Sequence, residues 1–183
     1  MGKKKIKTLL VLVAVMLLCI AGYVAVSHIN FEKEEEDKSI ALYDGMSAED
    51  VTAFSYNVEE EVYGYSLVSG EWHYDANPYV KLDQDTIKSM LSILAGFKSE
   101  RVLEASKDGY AEYGLEKPYK TIAFETKDGV KHKLTVGDKN INSKYYARID
   151  DENKIYTIDA TVSTYFGKTA DELSIEESSE STQ

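Results

Sequence analysis

The residue types that most often carry out chemistry are sparse and poorly spaced in this sequence. None of its three histidines, His28, His73 and His132, stands at metal-ligand spacing from another. The single cysteine, Cys19, lies in an apolar N-terminal run, so we expect neither a thiol nucleophile nor a disulfide beyond that run. The sequence contains no Gly-rich phosphate loop and no serine followed three residues later by lysine. These patterns predict a non-enzymatic protein that uses no cofactor.

The stretch that comes nearest to a metal loop is DKNINS, residues 138–143. Asp138, Asn140 and Asn142 have the alternate spacing of the first three ligands of a calcium loop. That loop needs glycine at its sixth position and glutamate at its twelfth, where this chain has Ser143 and Ile149. The three residues are therefore a weak calcium candidate, and an ordinary polar turn is the alternative.

Carboxylates are too numerous to mark a site by themselves. With 32 aspartates and glutamates in 183 residues, some pair is expected at the separation that glycoside hydrolysis needs. His132 alternates with apolar residues at 130, 134 and 136, which favours a structural histidine on an apolar strand face. An acid–base envelope hydrolase is therefore a weaker hypothesis than a binding protein.

Aromatic residues form the most promising pattern, since the chain has 14 tyrosines. Alternation at period two predicts one sheet face that carries Tyr63, Tyr65, Trp72 and Tyr74. If a helix covers this face, the four side chains are core. If the face is uncovered, it is a binding platform for a glycan or a protein partner.

The elements that must position these residues follow from periodicity. Strands are predicted at 51–58, 62–68, 70–74, 100–104, 120–126, 130–136, 144–149 and 154–158. Asp83 is a good N-cap for a helix whose apolar residues are Ile87, Met90, Leu91, Leu94 and Phe97, and a second helix carries Val162, Tyr165 and Phe166 before Gly167. Each half thus reads as a strand meander closed by a helix, which predicts an α+β fold with mainly antiparallel sheet.

The N-terminal 26 residues predict a membrane anchor. Residues 9–26 are uncharged and mostly apolar, long enough to span a bilayer, and Lys3, Lys4, Lys5 and Lys7 precede them, which places the N-terminus in the cytoplasm. The expected organisation is a basic leader at 1–8, the transmembrane anchor at 9–26, a spacer at 27–39, an extracytoplasmic α+β domain at 40–173 and a disordered acidic tail at 174–183. Cleavage as a signal peptide near Ala25–Ser27 is the alternative.

The distribution of charge along the chain limits the classes of partner that we expect. Four of the 21 basic residues lie in the leader, whereas all 32 acidic residues follow the apolar run. The part outside the membrane is therefore strongly acidic, which argues against nucleic acid and anionic lipid surfaces as partners, because both require a basic patch. We expect a protein partner in the envelope, with the membrane contacted through residues 9–26.

Residues 110–124, YAEYGLEKPYKTIAF, read as a chain reversal rather than a binding loop. Gly114 can take a positive φ and stop a helical turn, Leu115 is then free to enter the core, and Pro118 directs the chain into a strand. Each residue of this structural signature therefore has a backbone or packing role, and no catalytic group is needed to explain the stretch.

The chain resembles the bacterial domain of unknown function 4340 family over about residues 40–173. The resemblance rests on EYGLEKP at 112–118, GEW at 70–72, NPYVKLDQDTI at 77–87, VGDKN at 136–140 and YYARID at 145–150. It implies one N-terminal membrane helix and, for some relatives, a link to ABC-type transport or gliding machinery, and it supplies no catalytic residue. The resulting hypothesis is a non-catalytic, membrane-anchored interaction module, accessory to a transporter or envelope complex. The alternatives are an extracytoplasmic ligand- or glycan-binding domain, including a sensor, and the hydrolase.

Overall fold

The computed structural model describes residue 16, residues 39–104 and residues 107–175. The predicted leader, most of the anchor and spacer, and residues 176–183 of the predicted tail lie outside these residues. No helix within the described part of the chain is long and apolar enough to cross a membrane.

The described chain is built on antiparallel sheet. Its strands are β1 (Ile40–Ala41), β2 (Val51–Val58), β3 (Glu61–Val68), β4 (Glu71–Tyr74), β5 (Lys98–Ser99), β6 (Val102–Glu104), β7 (Lys120–Thr126), β8 (Lys131–Lys139), β9 (Tyr145–Ile149) and β10 (Lys154–Ile158). Eight of them form one sheet in the order β4-β3-β2-β7-β8-β9-β10-β6, and β1 pairs with β5 in a small second sheet. Every pairing is antiparallel, so the expectation of a mainly antiparallel α+β fold is confirmed.

Two α-helices and three short 3₁₀ segments complete the described fold. The helices are α1 (Gln84–Ala95) and α2 (Thr161–Tyr165), and the 3₁₀ segments are Ala48–Asp50, Lys107–Tyr113 and Asp171–Leu173. The meander β2-β3-β4 precedes α1, the meander β7-β8-β9-β10 precedes α2, and the pairing of β2 with β7 joins the two meanders. As expected, the Asp83 carboxylate caps α1, because it accepts hydrogen bonds from the Asp85 and Thr86 amides at 3.1 Å each.

The main core lies between the inner face of the large sheet and the two helices. Period-two alternation places one apolar row from each central strand on this face, and α1 covers the rows with its own apolar stripe. Its members are at most 9% exposed and include Phe54, Tyr56, Ile122, Leu134, Ile158, Ile87, Met90, Leu94, Val162 and Phe166. Each such side chain contributes roughly 1.5–3 kcal/mol by leaving water.

A second, smaller core lies on the outer face, over the β10 end of the sheet. Tyr110 and Leu115 pack there against Ile155, which is fully buried, so Leu115 enters a core as the sequence predicts. The preceding 3₁₀ segment ends at Tyr113, and Gly114 follows with a φ of +70°. The stretch that follows Asp108 is thus a chain reversal that also packs on the outer face of the sheet.

Candidate functional site

An open cleft of about 470 Å³ lies at the end of the β7-β8 and β9-β10 hairpins. We call it the acidic cleft. Three segments line it: residues 42–46 with Asp50, the β7-β8 turn at 126–130 with His132, and the β9-β10 turn at 149–152. Five of its lining residues are acidic, namely Asp44, Asp50, Asp128, Asp150 and Glu152, and two carry basic side chains, Lys127 and His132.

The β7-β8 turn is held by its own polar side chains. Gly129 takes a φ of +81°, and the Thr126 hydroxyl donates to the Asp128 carboxylate at 2.5 Å. Lys127 forms an ion pair with Asp50, and its amide donates to the Asp50 carbonyl at 2.7 Å. One wall of the cleft is therefore fixed against the segment that enters β2.

The opposite wall is joined to the sheet by Asp150. Its carboxylate accepts a hydrogen bond from the Lys133 amide at 2.6 Å, and its second oxygen lies 3.1 Å from His132 Nδ1. Because an ionised carboxylate can only accept, the proton of this hydrogen bond lies on His132 Nδ1. Asp150 itself has a φ of +47°, a conformation that aspartate tolerates better than most residues. This aspartate therefore links the tip of the β9-β10 hairpin to β8.

Tyr43 lines the acidic cleft. Its ring is in edge contact with Phe124 at 5.0 Å and with His132 at 5.6 Å between centroids. The residue is 7% exposed, and its buried hydroxyl makes no hydrogen bond to any described residue. Burial, and then the charges of Asp150 and Glu152, raise the pKa of this hydroxyl far above its usual range, so it stays protonated.

The charge of the cleft is negative at neutral pH. The hydrogen bond from Lys127 lowers the pKa of Asp50 to about 2, and the hydrogen bond from Thr126 lowers the pKa of Asp128. Lys127 is already paired with Asp50, and His132 is hydrogen-bonded to Asp150. The remaining carboxylates face the cleft in excess of cationic groups, so the cleft is suited to bind a positively charged group.

The arrangement is poorly suited to covalent catalysis. Thr126 is the one serine, threonine or cysteine among the described residues that line the cleft. It is 7% exposed, and its hydroxyl donates to Asp128 rather than to His132. A Ser-His-Asp type of site needs a nucleophile within hydrogen-bond reach of the histidine. The pairing of His132 with Asp150 is therefore explained by the structural link between β8 and the β9-β10 turn.

The predicted aromatic face is largely core. Tyr65 is fully buried and Trp72 is 5% exposed, and both belong to the cluster that includes the apolar side chains of α1. They are therefore not a binding surface, because the inner face of the sheet on which they lie is covered. Tyr63 and Tyr74 are half-buried at the margin of this cluster, with ring centroids 6.0 Å apart.

The three residues of the calcium candidate lie at the end of β8 and in the turn that leads to β9. The side-chain oxygen of Asn140 accepts hydrogen bonds from the amides of Asn142 and Lys144, at 2.9 and 3.0 Å. The Asp138 side chain lies against Gly114, since a Cβ added to Gly114 would be 2.5 Å from the Asp138 Cγ. No group of three or more His, Cys, Asp or Glu in the described part of the chain is placed to hold a metal ion.

The structure brings two of the quoted sequence motifs into contact. In EYGLEKP, Gly114 packs against Asp138, and in VGDKN, Gly137 packs against the backbone of Tyr113 and Gly114. A Cβ on Gly137 would lie 2.1 Å from the Tyr113 carbonyl oxygen, far inside the closest approach that real Cβ atoms make. These glycines allow the chain reversal to pack closely on β8, where Leu115 also lies against Gly137.

No motif in the sequence predicts the acidic cleft. No recognisable motif includes Tyr43, Asp44 or Glu152, and the sequence around Asp128 and Asp150 predicts only turns. The polar turns at 127–129 and 150–153 were the one available signal, since antiparallel hairpins of one meander place alternate turns at the same end of a sheet. The contribution of residues 42–46 had no local signal.

Comparison with known proteins gives a family and no nearer relative. Neither the curated proteins nor the solved structures contain a significant match to this chain. One family match covers residues 72–176, more than half of the chain, so it begins within β4 rather than at residue 40 as expected. The chain therefore belongs to the family described as Domain of unknown function (DUF4340).

Proposed function

We propose that this protein is a non-catalytic, membrane-anchored interaction module whose folded domain lies outside the cytoplasm and binds its partner at the acidic cleft. In this role it is an accessory to an ABC-type transporter or another envelope complex. Residues 9–26 provide the anchor, and the lysines at positions 3, 4, 5 and 7 orient it.

The observation that carries the proposal is the character of the acidic cleft. It is open, about 470 Å³ in volume and lined mainly by acidic and apolar residues. Its histidine and its threonine hydroxyl are both engaged in hydrogen bonds that hold turns together. Concave surfaces with a few fixed polar groups and an apolar lining are typical of binding sites.

The partner is tested by cross-linking tagged full-length protein in native membranes, followed by affinity capture and mass spectrometry. The matched pair of variants is Asp44→Asn with Glu152→Gln in the cleft, and Glu71→Gln with Asp171→Asn at exposed positions outside it. We expect wild type and the second variant to recover the same envelope proteins, and the cleft variant to lose them. Recovery of nothing above a control with an unrelated anchor, or equal recovery by both variants, would contradict the proposal.

The location is tested by labelling a single cysteine. Lys88 is exposed on α1, so Lys88→Cys in a Cys19→Ser background presents one accessible thiol on the folded domain. We expect a membrane-impermeant maleimide to label intact cells from which any outer barrier has been removed. Labelling that occurs only after the cell membrane is lysed would place the domain in the cytoplasm and reject this part of the proposal.

A further inference from the structure

We infer that two copies of this chain form a twofold-symmetric dimer through part of the outer face of the large sheet. The part in question is the outer face of β4, β3, β2 and β7 together with residues 131–133 of β8, and we call it the open face. This inference goes beyond the proposed function, which concerns the acidic cleft.

The open face carries side chains that the described chain leaves in contact with water. The chain reversal packs on the outer face only toward β10, where Tyr110 and Leu115 contact Ile155. Along β3, alternation with the inner-face tyrosines places Val62 and Val68 on the open face, where they are 70% and 54% exposed. Exposed apolar side chains on one face of a sheet favour an interaction surface.

One row of residues crosses the open face from strand to strand. Ser55 of β2 lies opposite Gly64 on one side and Ala123 on the other, and Ala123 lies opposite Lys133. Asp75 extends the row beyond Gly64, because its amide donates to the Gly64 carbonyl at 2.9 Å. Its carboxylate lies over Gly64, since a Cβ added there would be 2.7 Å from Asp75 Oδ2. The row therefore has small residues in its middle and opposite charges at its two ends.

The two end charges are placed to pair between copies rather than within one chain. Strands are about 4.8 Å apart, so Asp75 and Lys133 lie about 10 Å to either side of Ser55 and about 19 Å from each other. Neither side chain forms an ion pair with another residue in the part of the chain that the structure describes. A twofold axis that passes over Ser55 along β2 places Asp75 of each copy against Lys133 of the other. This self-complementarity is the property that a symmetric dimer interface requires.

The neighbouring row supports association of identical chains. It contains Glu125 and Lys131, which form an ion pair at 3.7 Å. The two rows across the middle of the open face thus carry two carboxylates and two lysines, although the chain as a whole has a net charge of −11. A large net charge of one sign makes identical chains repel each other. The electrically balanced open face is therefore a surface at which two copies can approach.

The shape of the open face suits a second sheet. Ser55 and Ala123 line a shallow depression of about 250 Å³, and small side chains let two sheets stack at a spacing of about 10 Å. The open face measures about 20 Å by 25 Å, so a dimer buries about 1,000 Å² in total, at the lower limit for a specific interface. We expect a reversible dimer. Because the axis runs along the strands, both acidic clefts open at the same end of it.

Cysteine cross-linking of the full-length protein in native membranes tests the face that is used. Ser55→Cys in a Cys19→Ser background places the thiols of two copies on either side of the axis, within reach of a short bis-methanethiosulfonate. Lys88→Cys in the same background is the matched control, because Lys88 is exposed on α1, which covers the inner face. We expect cross-linked dimer from Ser55→Cys and monomer from Lys88→Cys. Equal cross-linking of both, or linkage of Ser55→Cys only to a different protein, would overturn the inference.

Charge reversal tests the geometry of the pair. Sedimentation equilibrium of the full-length protein in density-matched micelles gives the dimer dissociation constant, and urea midpoints check that each variant folds. We expect Asp75→Lys alone, or Lys133→Asp alone, to weaken dimerisation at least about tenfold, because each sets two like-charge pairs against each other. The two substitutions together should restore it. Asp171→Lys makes the same change of charge at an exposed position outside the open face and should leave dimerisation unchanged. Failure of the double variant to recover would overturn the twofold geometry.

The outcomes are independent of the proposed function. If the cleft variant loses its envelope partner while Ser55→Cys forms no dimer, the interaction role stands and the dimer is wrong. If Ser55→Cys forms the dimer and the charge reversals behave as expected, yet no envelope protein is recovered, the dimer stands and the envelope-complex role is wrong.

Discussion

Lys120 is a buried cation on β7. The residue is 3% exposed, and its ammonium donates to the Asn57 carbonyl oxygen at 2.6 Å. The same ammonium lies 5.8 Å from the ring centroid of Tyr56 and 5.5 Å from that of Tyr119. These contacts offset part of the loss of hydration, but burial still lowers the pKa of Lys120 to about 8.

This shift predicts a pH dependence of stability. Since the unfolded value is 10.5, the unfolded chain binds more protons than the folded one between about pH 8 and pH 10.5, and the free energy of unfolding rises with pH there. Below about pH 8, Lys120 is protonated in both the folded and the unfolded state. The full cost of burying its charge then lowers the free energy of unfolding. Relative to Lys120→Met, the wild type should therefore gain about 1–2 kcal/mol between about pH 7 and pH 9.5.

Urea unfolding of the full-length protein at the two pH values measures this gain. Lys131→Met is the matched control, because the Lys131 side chain is 81% exposed on the neighbouring strand. Its stability difference from wild type should not change across the same interval. A pH-independent difference for Lys120→Met would show that the folded-state pKa of Lys120 is not depressed.

At the scale of elements, the fold depends on segments that cover an edge and the outer face of the large sheet. At one edge, the Gln84 side chain of α1 accepts from the Trp72 amide at 2.8 Å and donates to the Trp72 carbonyl at 3.1 Å. These bonds occupy backbone groups of β4 that an edge strand otherwise offers to another chain. On the outer face, the chain reversal packs on β8, where the register of its pairing with β9 shifts between Val136 and Lys139.

The contact between the reversal and β8 predicts a large effect for Gly137→Ala. The new Cβ would meet the Tyr113 carbonyl oxygen at 2.1 Å, and this backbone atom cannot move aside as the end of a side chain can. We expect a loss of about 2–4 kcal/mol in the free energy of unfolding.

Gly109→Ala is the matched control within the reversal, because a Cβ there meets nothing within 4 Å and its φ is not positive. It should change stability by less than about 0.5 kcal/mol. Both variants are compared by urea unfolding of the full-length protein. If Gly137→Ala is as mild as Gly109→Ala, the close approach of the two family motifs does not contribute to stability.

At the scale of the whole molecule, the two meanders share one core. The pairing of β2 with β7 runs through the middle of the sheet, and one cluster of buried side chains extends from Trp72 at one end to Ile158 near the other. The family match begins at Trp72, so β2 and β3 precede the matched region although β2 occupies a central position. The folded unit is therefore larger than the region that the family match covers.

This shared core predicts that the two meanders unfold together. Hydrogen exchange of the full-length protein across a urea series, read by mass spectrometry, should give the same midpoint for peptides from 51–74 and from 131–158. The exposed turn at 141–143 serves as an internal reference and should exchange quickly without urea. Two separate midpoints would show that each meander is stable without the other.

The sequence by itself determined the local structure of this protein. The alternation in 51–58 and 120–126, the Asp83 cap and the reversal at Gly114 were all predictable, because each depends on hydrogen bonds and side-chain spacing within a few residues. Asp83 and Gly114 also lie in the stretches that carry the family resemblance, which the family match confirms.

Only the tertiary structure decided which faces are covered and where the cleft lies. Alternation places Tyr65 and Trp72 on one face but does not show that this face is buried beside α1. Tyr43, His132 and Asp150 come from three distant segments, and their contacts arise from the order of strands in the sheet. Long-range packing is set by the shape and burial of the whole core, which local spacing does not encode.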